Sequence, residues 1–261
     1  MATPKDVADV GNGFWNIGGS FKVGGLVDVG THASLVRLAS GKYVFLDAYT
    51  LPDDVRAWVD ERTGGGEAIE AILNLHPFHT LHVRRAHERY PQAKLYGTAR
   101  HHDKFGDLPW EPERTETEAF AERFSADFDF TVPRGVELVP ADENLHFSSV
   151  LAIHRASKTL HVDDTLNYAP LPKLVHGLKR DVLRFHPTLS KVLERRAGAV
   201  REFRRWAEEL IERLGGVDNL CTAHIDNLLA SDNHGPSIAE RVEKAYGKLD
   251  RKLKKHQAKY G

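Results

Sequence analysis

The stretch LNLHPFHTLHV, residues 73–83, ends an apolar run and then places histidines at 76, 79 and 82 with no acidic residue among them. Upstream, AIEAILNL (68–75) reads as a buried strand. Downstream, LHVRRAHERYP (81–91) has a helical pattern broken by Pro91, and AKLYG (93–97) is short enough for another strand. Further upstream, Ala33–Leu38 and Tyr43–Asp47 are apolar runs joined by a glycine-containing turn, which predicts a hairpin. PDDVRAWVDERTGGG (52–66) opens on proline, carries acids in its first turn, spaces Val55, Trp58 and Val59 on one face and stops at glycines, the grammar of a helix. Strand, helix, strand, helix, strand implies an α/β layer arrangement.

Residues 101–132 are polar and aromatic without a clear period, and are expected to form an excursion or lid. GVELV (135–139), SSVLAIH (148–154) and TLHVDD (159–164) read as strands. Residues 172–214 read as helical, most strongly in VREFRRWAEELIERLGG (200–216). VDNLCTAH (217–224) is a last strand and residues 236–260 a final helix with a basic end. No internal repeat or low-complexity linker interrupts the 261 residues, so the expectation is a single domain, 1–261, with a helical insertion at 172–214.

Lysine and arginine (36) nearly balance aspartate and glutamate (37), so no global field draws in nucleic acid or an anionic membrane. The start lacks the order of a signal peptide and no apolar run is long enough to span a bilayer, which predicts a cytoplasmic location. Cys221 is the only cysteine, so any transition metal would need histidine and carboxylate ligands. Three apolar strands run directly into such residues: His76, His79 and His82 after AILNL, Asp163 and Asp164 after TLHV, and His224 after NLCTA. Strand ends are where α/β folds present chemistry, and these side-chain types suit zinc, iron or manganese.

The order of elements and these positions resemble the metallo-β-lactamase superfamily, whose fold is a four-layer αββα sandwich, here with an added C-terminal helical region. The family signature is His-x-His-x-Asp-His. Laid on PFHTLHV (77–83), it puts Pro77 at the first histidine, His79 at the second, Leu81 at the aspartate and His82 at the last histidine. TLHVDDTLNY (159–168) resembles the strand end that carries the bridging aspartate, which assigns Asp164, and CTAHIDN (221–227) resembles the closing strand, which assigns His224. The third-region histidine would be His146, in ENLHFSSV. KFGDLPWEP (104–112) and IHRASKTLHVDD (153–164) are similar to features of a branch made up of domains of unknown function with a shortened histidine motif. The likeness runs from Gly13 to Tyr246.

The resemblance implies a metal-dependent hydrolase acting on a small molecule. With Pro77 and Leu81 in place of two ligands, it implies a reduced site holding one ion (zinc, iron or manganese) on His79, His82, Asp164 and His224, with His76 able to replace the lost histidine and His146 alongside. Asp164 and His79 are the expected catalytic residues. The alternative is a relative without a metal or turnover, its decayed site serving as a binding module for a small molecule or protein. Asp47, ending YVFLD, either hydrogen-bonds the histidine loop or is an exposed strand end. His154 is expected in a hairpin turn, His161 as a structural histidine, His101 and His102 as exposed, Cys221 as core, and Trp15, Trp58, Trp110 and Trp206 as packing residues. A homodimer is the default assembly, with residues 172–214 able to supply its surface.

Overall fold

The computed structural model of the protein describes residues 2–23, 27–28, 30–170, 181–224 and 226–261. They divide into two compact units: Met1–Phe130 with His154–Ser157, and Thr131–Ile153 with Lys158–Gly261.

The first unit is built on a six-stranded sheet. Strands β1 (Val7–Gly11) and β2 (Phe14–Gly19) are followed by a short antiparallel pair, β3 (Lys22–Val23) and β4 (Val27–Asp28), and then by the expected hairpin, β5 (Thr31–Arg37) and β6 (Tyr43–Leu46). Gly41, at φ 88°, makes the hairpin turn, a backbone conformation that a side chain would resist. Helix α1 (Asp53–Thr63) begins after Pro52 and ends where Gly64 enters the left-handed region at φ 63°. Its buried face, Val55, Trp58 and Val59, joins a core with Phe45, Ile69 and Ile72. Strand β7 (Ile69–Leu73), helix α2 (Val83–Arg89) and strand β8 (Lys94–Tyr96) follow as predicted. The sheet order is β1-β2-β5-β6-β7-β8, antiparallel up to β6 and parallel from β6 to β8.

Residues 101–132, expected as an excursion or lid, contain packed helix and strand. Helix α3 (Ala99–Lys104) is closed by a capping box of Thr98 and His101, and helix α4 (Glu118–Arg123) leads to strand β9 (Phe128–Thr131). Phe120, Phe124, Phe128 and Phe130 are buried, with Phe120 ring centroids 5.5 Å from Tyr96 and 4.9 Å from Phe130. An aromatic cluster of this kind fills a core, and its members fall on both sides of a turn, which is why no single period marks them.

In the second unit, strands β10 (Leu151–His154) and β11 (Thr159–Val162) precede an antiparallel pair, β12 (Leu166–Pro170) and β13 (Asp181–Phe185). The helical reading of 172–214 therefore needs correction. Residues 172–180 lie outside the described residues, 181–185 are strand, and helix is confined to α5 (Leu189–Val192) and α6 (Ala199–Arg213), with a 3-10 turn at Leu214–Gly216. GVELV forms only an isolated bridge, Val136 to Leu193. Strand β14 (Asn219–Thr222) pairs in parallel with β11, placing Cys221 opposite His161. The final helix is two, α7 (Ile238–Gly247), with a Ser237/Glu240 capping box, and α8 (Asp250–Tyr260).

Phe203, Trp206 and Leu210 of α6 and Val242 of α7 fill the core of this unit, and Trp206 Nε1 donates to Thr131 Oγ1 at 3.0 Å. Gly135, at φ 70°, lies against α6 so closely that an added Cβ would stand 2.0 Å from the Ala199 carbonyl oxygen. Cys221 is fully buried, and burial pushes its thiol pKa up. Among the described residues no helix is long and apolar enough to cross a membrane.

Candidate metal centre

In the first unit, the loop after β7 is held by its neighbours before any chemistry is considered. Asn74 donates to the Tyr96 carbonyl from its backbone at 3.0 Å and from Nδ2 at 2.8 Å. The Leu75 amide donates to Asp47 Oδ1 at 2.8 Å. Asp47 is 2% exposed and sits at φ 60°, a conformation aspartate tolerates better than most residues. Of the two readings of Asp47, the structure supports the one that ties it to the histidine loop.

His76 is fully buried and stacks on His79 with ring centroids 4.1 Å apart. The Phe78 amide donates to His76 Nδ1 at 3.1 Å. In this orientation the neutral His76 ring carries its proton on Nε2, so it could ligate only after its ring turns. His82, three residues after His79, stands at the start of α2. Its Nδ1 lies 2.8 Å from Thr50 Oγ1 and its ring meets Tyr49 edge to face. Burial, then the charges of Arg85 and His79, lower the His82 pKa. The loop thus brings His76 and His79 together and gives His82 to Thr50 and Tyr49.

The lid residues also differ from expectation. His101 is fully buried, its Nδ1 accepts the Thr98 amide at 3.1 Å, and burial lowers its pKa to about 3. His102 stacks on Trp110 at 5.1 Å. His154 is likewise buried, set 5.7 Å from the Phe14 ring and 5.2 Å from that of Phe128, with its pKa lowered to about 4 by burial.

In the second unit, β11 and β14 are parallel and both run straight into ligand-type residues. The register pairs Val162 with Thr222, and the Ala223 amide donates to the Val162 carbonyl at 3.2 Å, so Asp164 and His224 leave the sheet at the same end. His224 Nε2 lies 3.1 Å from Asp164 Oδ1, and His146 Nδ1 lies 3.7 Å from Asp164 Oδ2. Asp164 is 2% exposed. Two histidines expected from separate parts of the sequence therefore approach one carboxylate.

The tautomer of His146 adds a chemical constraint. Its Nε2 lies 2.7 Å from the Glu143 carbonyl oxygen, which can only accept, so Nε2 carries a proton. In the neutral ring Nδ1 is then an acceptor facing a carboxylate oxygen, also an acceptor. A proton, a bridging water or a metal cation between them would make that approach favourable. A histidine that donates one ring nitrogen to a carbonyl and offers the other is the usual form of a metal-ligating imidazole.

The residue that sequence reasoning missed is His186. It directly follows β13, and burial, the largest influence, lowers its pKa, with the Asp164 charge opposing and those of His146 and His224 adding to the shift. The signal was present: DVLRF runs directly into His186, as the other strands do into histidine or aspartate, but it lay inside a segment read as helix.

No family model matches the chain, and no curated protein does. Solved structures do. The DIM-1 metallo-β-lactamase exposed to ceftazidime aligns at a TM-score of 0.57 with 11% identity, covering 93% of this chain and 96% of that one. The chain has the metallo-β-lactamase fold. TMB-1 aligns at 0.59 with 12% identity over 94% of this chain and 96% of its own. A metallo-β-lactamase from Erythrobacter litoralis, with β-mercaptoethanol in its active site, aligns at 0.58 with 10% identity over 95% and 99%. The α/β class and sandwich type expected from the sequence are those of these structures. Among the described residues, His32, His76, His79, His161, Asp163 and Asp164 are His and Asp side chains that could help to hold a metal ion.

Proposed function

We propose that this protein is a metal-dependent hydrolase with a reduced centre for one divalent cation, held by Asp164, His224 and His146. The observation that carries the proposal is the approach of His146 Nδ1 to Asp164 Oδ2 at 3.7 Å while Nε2 is committed to a carbonyl. Nitrogen and oxygen donors of this kind fit zinc, iron or manganese. A cation bound there supplies Lewis acidity toward a carbonyl or phosphoryl oxygen of a small-molecule substrate.

The chain's own residues do the rest. Asp164, almost wholly buried, orients His224 and can exchange a proton with it at Oδ1. Asp47 fixes the loop that carries His76 and His79 through the Leu75 amide. His82 braces the start of α2 against Thr50.

A second reading is favoured by Leu81. It stands where the family signature has aspartate and is 68% exposed, so it can neither bind a cation nor move a proton. On that reading the same residues bind a cation or a small molecule without turnover.

The test is elemental analysis of the full chain after chelation and reloading with zinc, followed by a screen of ester, thioester, lactone and phosphodiester hydrolysis. About one zinc per chain, lost in Asp164→Asn and His224→Ala, is the expected result. No stoichiometric uptake overturns the cation. Uptake with no turnover on any substrate class selects the second reading.

A further inference from the structure

His186 occupies a position that the expected ligand set does not include. Its backbone amide donates to the Thr165 carbonyl at 3.2 Å, and β12 and β13 pair Leu166 with Phe185, which sets His186 beside the residue that follows Asp164. The same neighbourhood is tied to the His146 segment, because Thr165 Oγ1 donates to the Phe147 carbonyl at 2.8 Å.

The hydrogen bonds around His186 decide its tautomer. Thr188 Oγ1 lies 2.8 Å from the His146 carbonyl oxygen and 2.7 Å from His186 Nδ1. A carbonyl has no proton to give, and a hydroxyl has one, so the hydroxyl proton goes to the carbonyl. Nδ1 must then donate to Oγ1. The opposite arrangement would set two oxygen acceptors against each other at 2.8 Å. The Thr188 amide, 3.3 Å from Nδ1, is the longer contact and gives way to this one. A neutral ring with its proton on Nδ1 keeps a lone pair on Nε2. Thr188 thereby fixes one histidine's tautomer while holding the backbone of another, His146.

We propose that His186 is a further ligand of the cation centre on Asp164, offering Nε2, with Thr188 holding it in the required tautomer. The inference rests on the cation reading above. It gives Asp164 three imidazoles within its own unit, those of His146, His224 and His186.

Cobalt(II) titration of the metal-free full chain, followed by the visible absorption of the bound ion, tests it together with the histidine tautomers read from long-range proton–nitrogen NMR correlations of the metal-free protein. His186→Gln is expected to weaken cobalt binding by about 10-fold or more and to change the absorption bands. Thr188→Val, which leaves the imidazole in place, is expected to weaken binding by about 10-fold, as loss of a partner behind a metal ligand does, while Thr188→Ser keeps the hydroxyl and binds as the unaltered chain does. The NMR correlations are expected to put the proton of His186 on Nδ1. If the unaltered chain takes up no cobalt, the cation reading fails and this inference with it. If it takes up cobalt and His186→Gln matches it in affinity and spectrum, this inference alone is overturned. A proton found on Nε2 overturns it as well.

Discussion

Replacing Asp47 separates two effects that the structure combines at one residue: a buried hydrogen bond to the Leu75 amide at 2.8 Å and a backbone held at φ 60°. Removing the carboxylate leaves a buried N–H without its acceptor, at a cost of about 1–3 kcal/mol. A β-carbon with no polar group to stabilise the left-handed conformation adds about 1 kcal/mol. Asp47→Ala should therefore destabilise by about 2–4 kcal/mol. Asp47→Gly loses the hydrogen bond but relieves the backbone, so it should cost about 1 kcal/mol less than alanine. Asp47→Asn keeps an acceptor oxygen and tolerates the conformation, losing only the charge assistance, about 1 kcal/mol. For a chain of this size each kcal/mol lowers Tm by about 2–4 °C. Thermal unfolding of the four proteins should rank them wild type, Asn, Gly, Ala, and hydrogen exchange at the Leu75 amide should accelerate in Gly and Ala. If alanine melts within 1 °C of wild type, or if glycine is as damaging as alanine, the account of Asp47 is wrong.

Other substitutions probe the rest of the frame. Gly135→Ala should cost several kcal/mol, because its Cβ would sit 2.0 Å from the Ala199 carbonyl, whereas Gly41→Ala, with nothing within 4 Å, should cost only about 1 kcal/mol from its positive φ; denaturant midpoints that match for the two would contradict the packing of Gly135 on α6. Trp206→Ala should lose about 3–5 kcal/mol from the second unit's core, measured by urea unfolding, with little change expected for any exposed surface substitution. His154 has a folded pKa lowered from 6.5 to about 4 by burial, so its contribution to stability is full above pH 6.5 and is lost as pH falls toward 4. The Tm gap between wild type and His154→Gln should accordingly narrow from pH 7 to pH 4.5, and a constant gap would show that His154 is not held neutral.

Much of this was legible in the sequence because local signals agreed. Pro52, Asp53, Asp54 and Gly64 bound α1 at both ends, and β7, β11 and β14 are short apolar runs that stop at polar residues. The same rule found Asp164 and His224. His146 came from resemblance alone, and only the coordinates bring it to Asp164. Two segments were misread for different reasons. In 101–132 the buried aromatics are shared between α4 and β9, so neither a helical nor an alternating period covers them. In DVLRF, alternation over five residues was submerged in the stronger helical pattern of α6 downstream, and His186 went with it. Tautomers are a different matter, since no spacing reveals which ring nitrogen faces a carbonyl.

The solitary thiol of Cys221 has a practical use that follows from its place in the middle of β14. Shielded on all sides and kept protonated, it should resist alkylating reagents for as long as that strand stays closed. The rate at which iodoacetamide adds a single mass increment to the intact chain would then clock the opening of the strand that leads to His224. Comparing that clock with and without added zinc would show whether the ion stiffens this edge of the molecule.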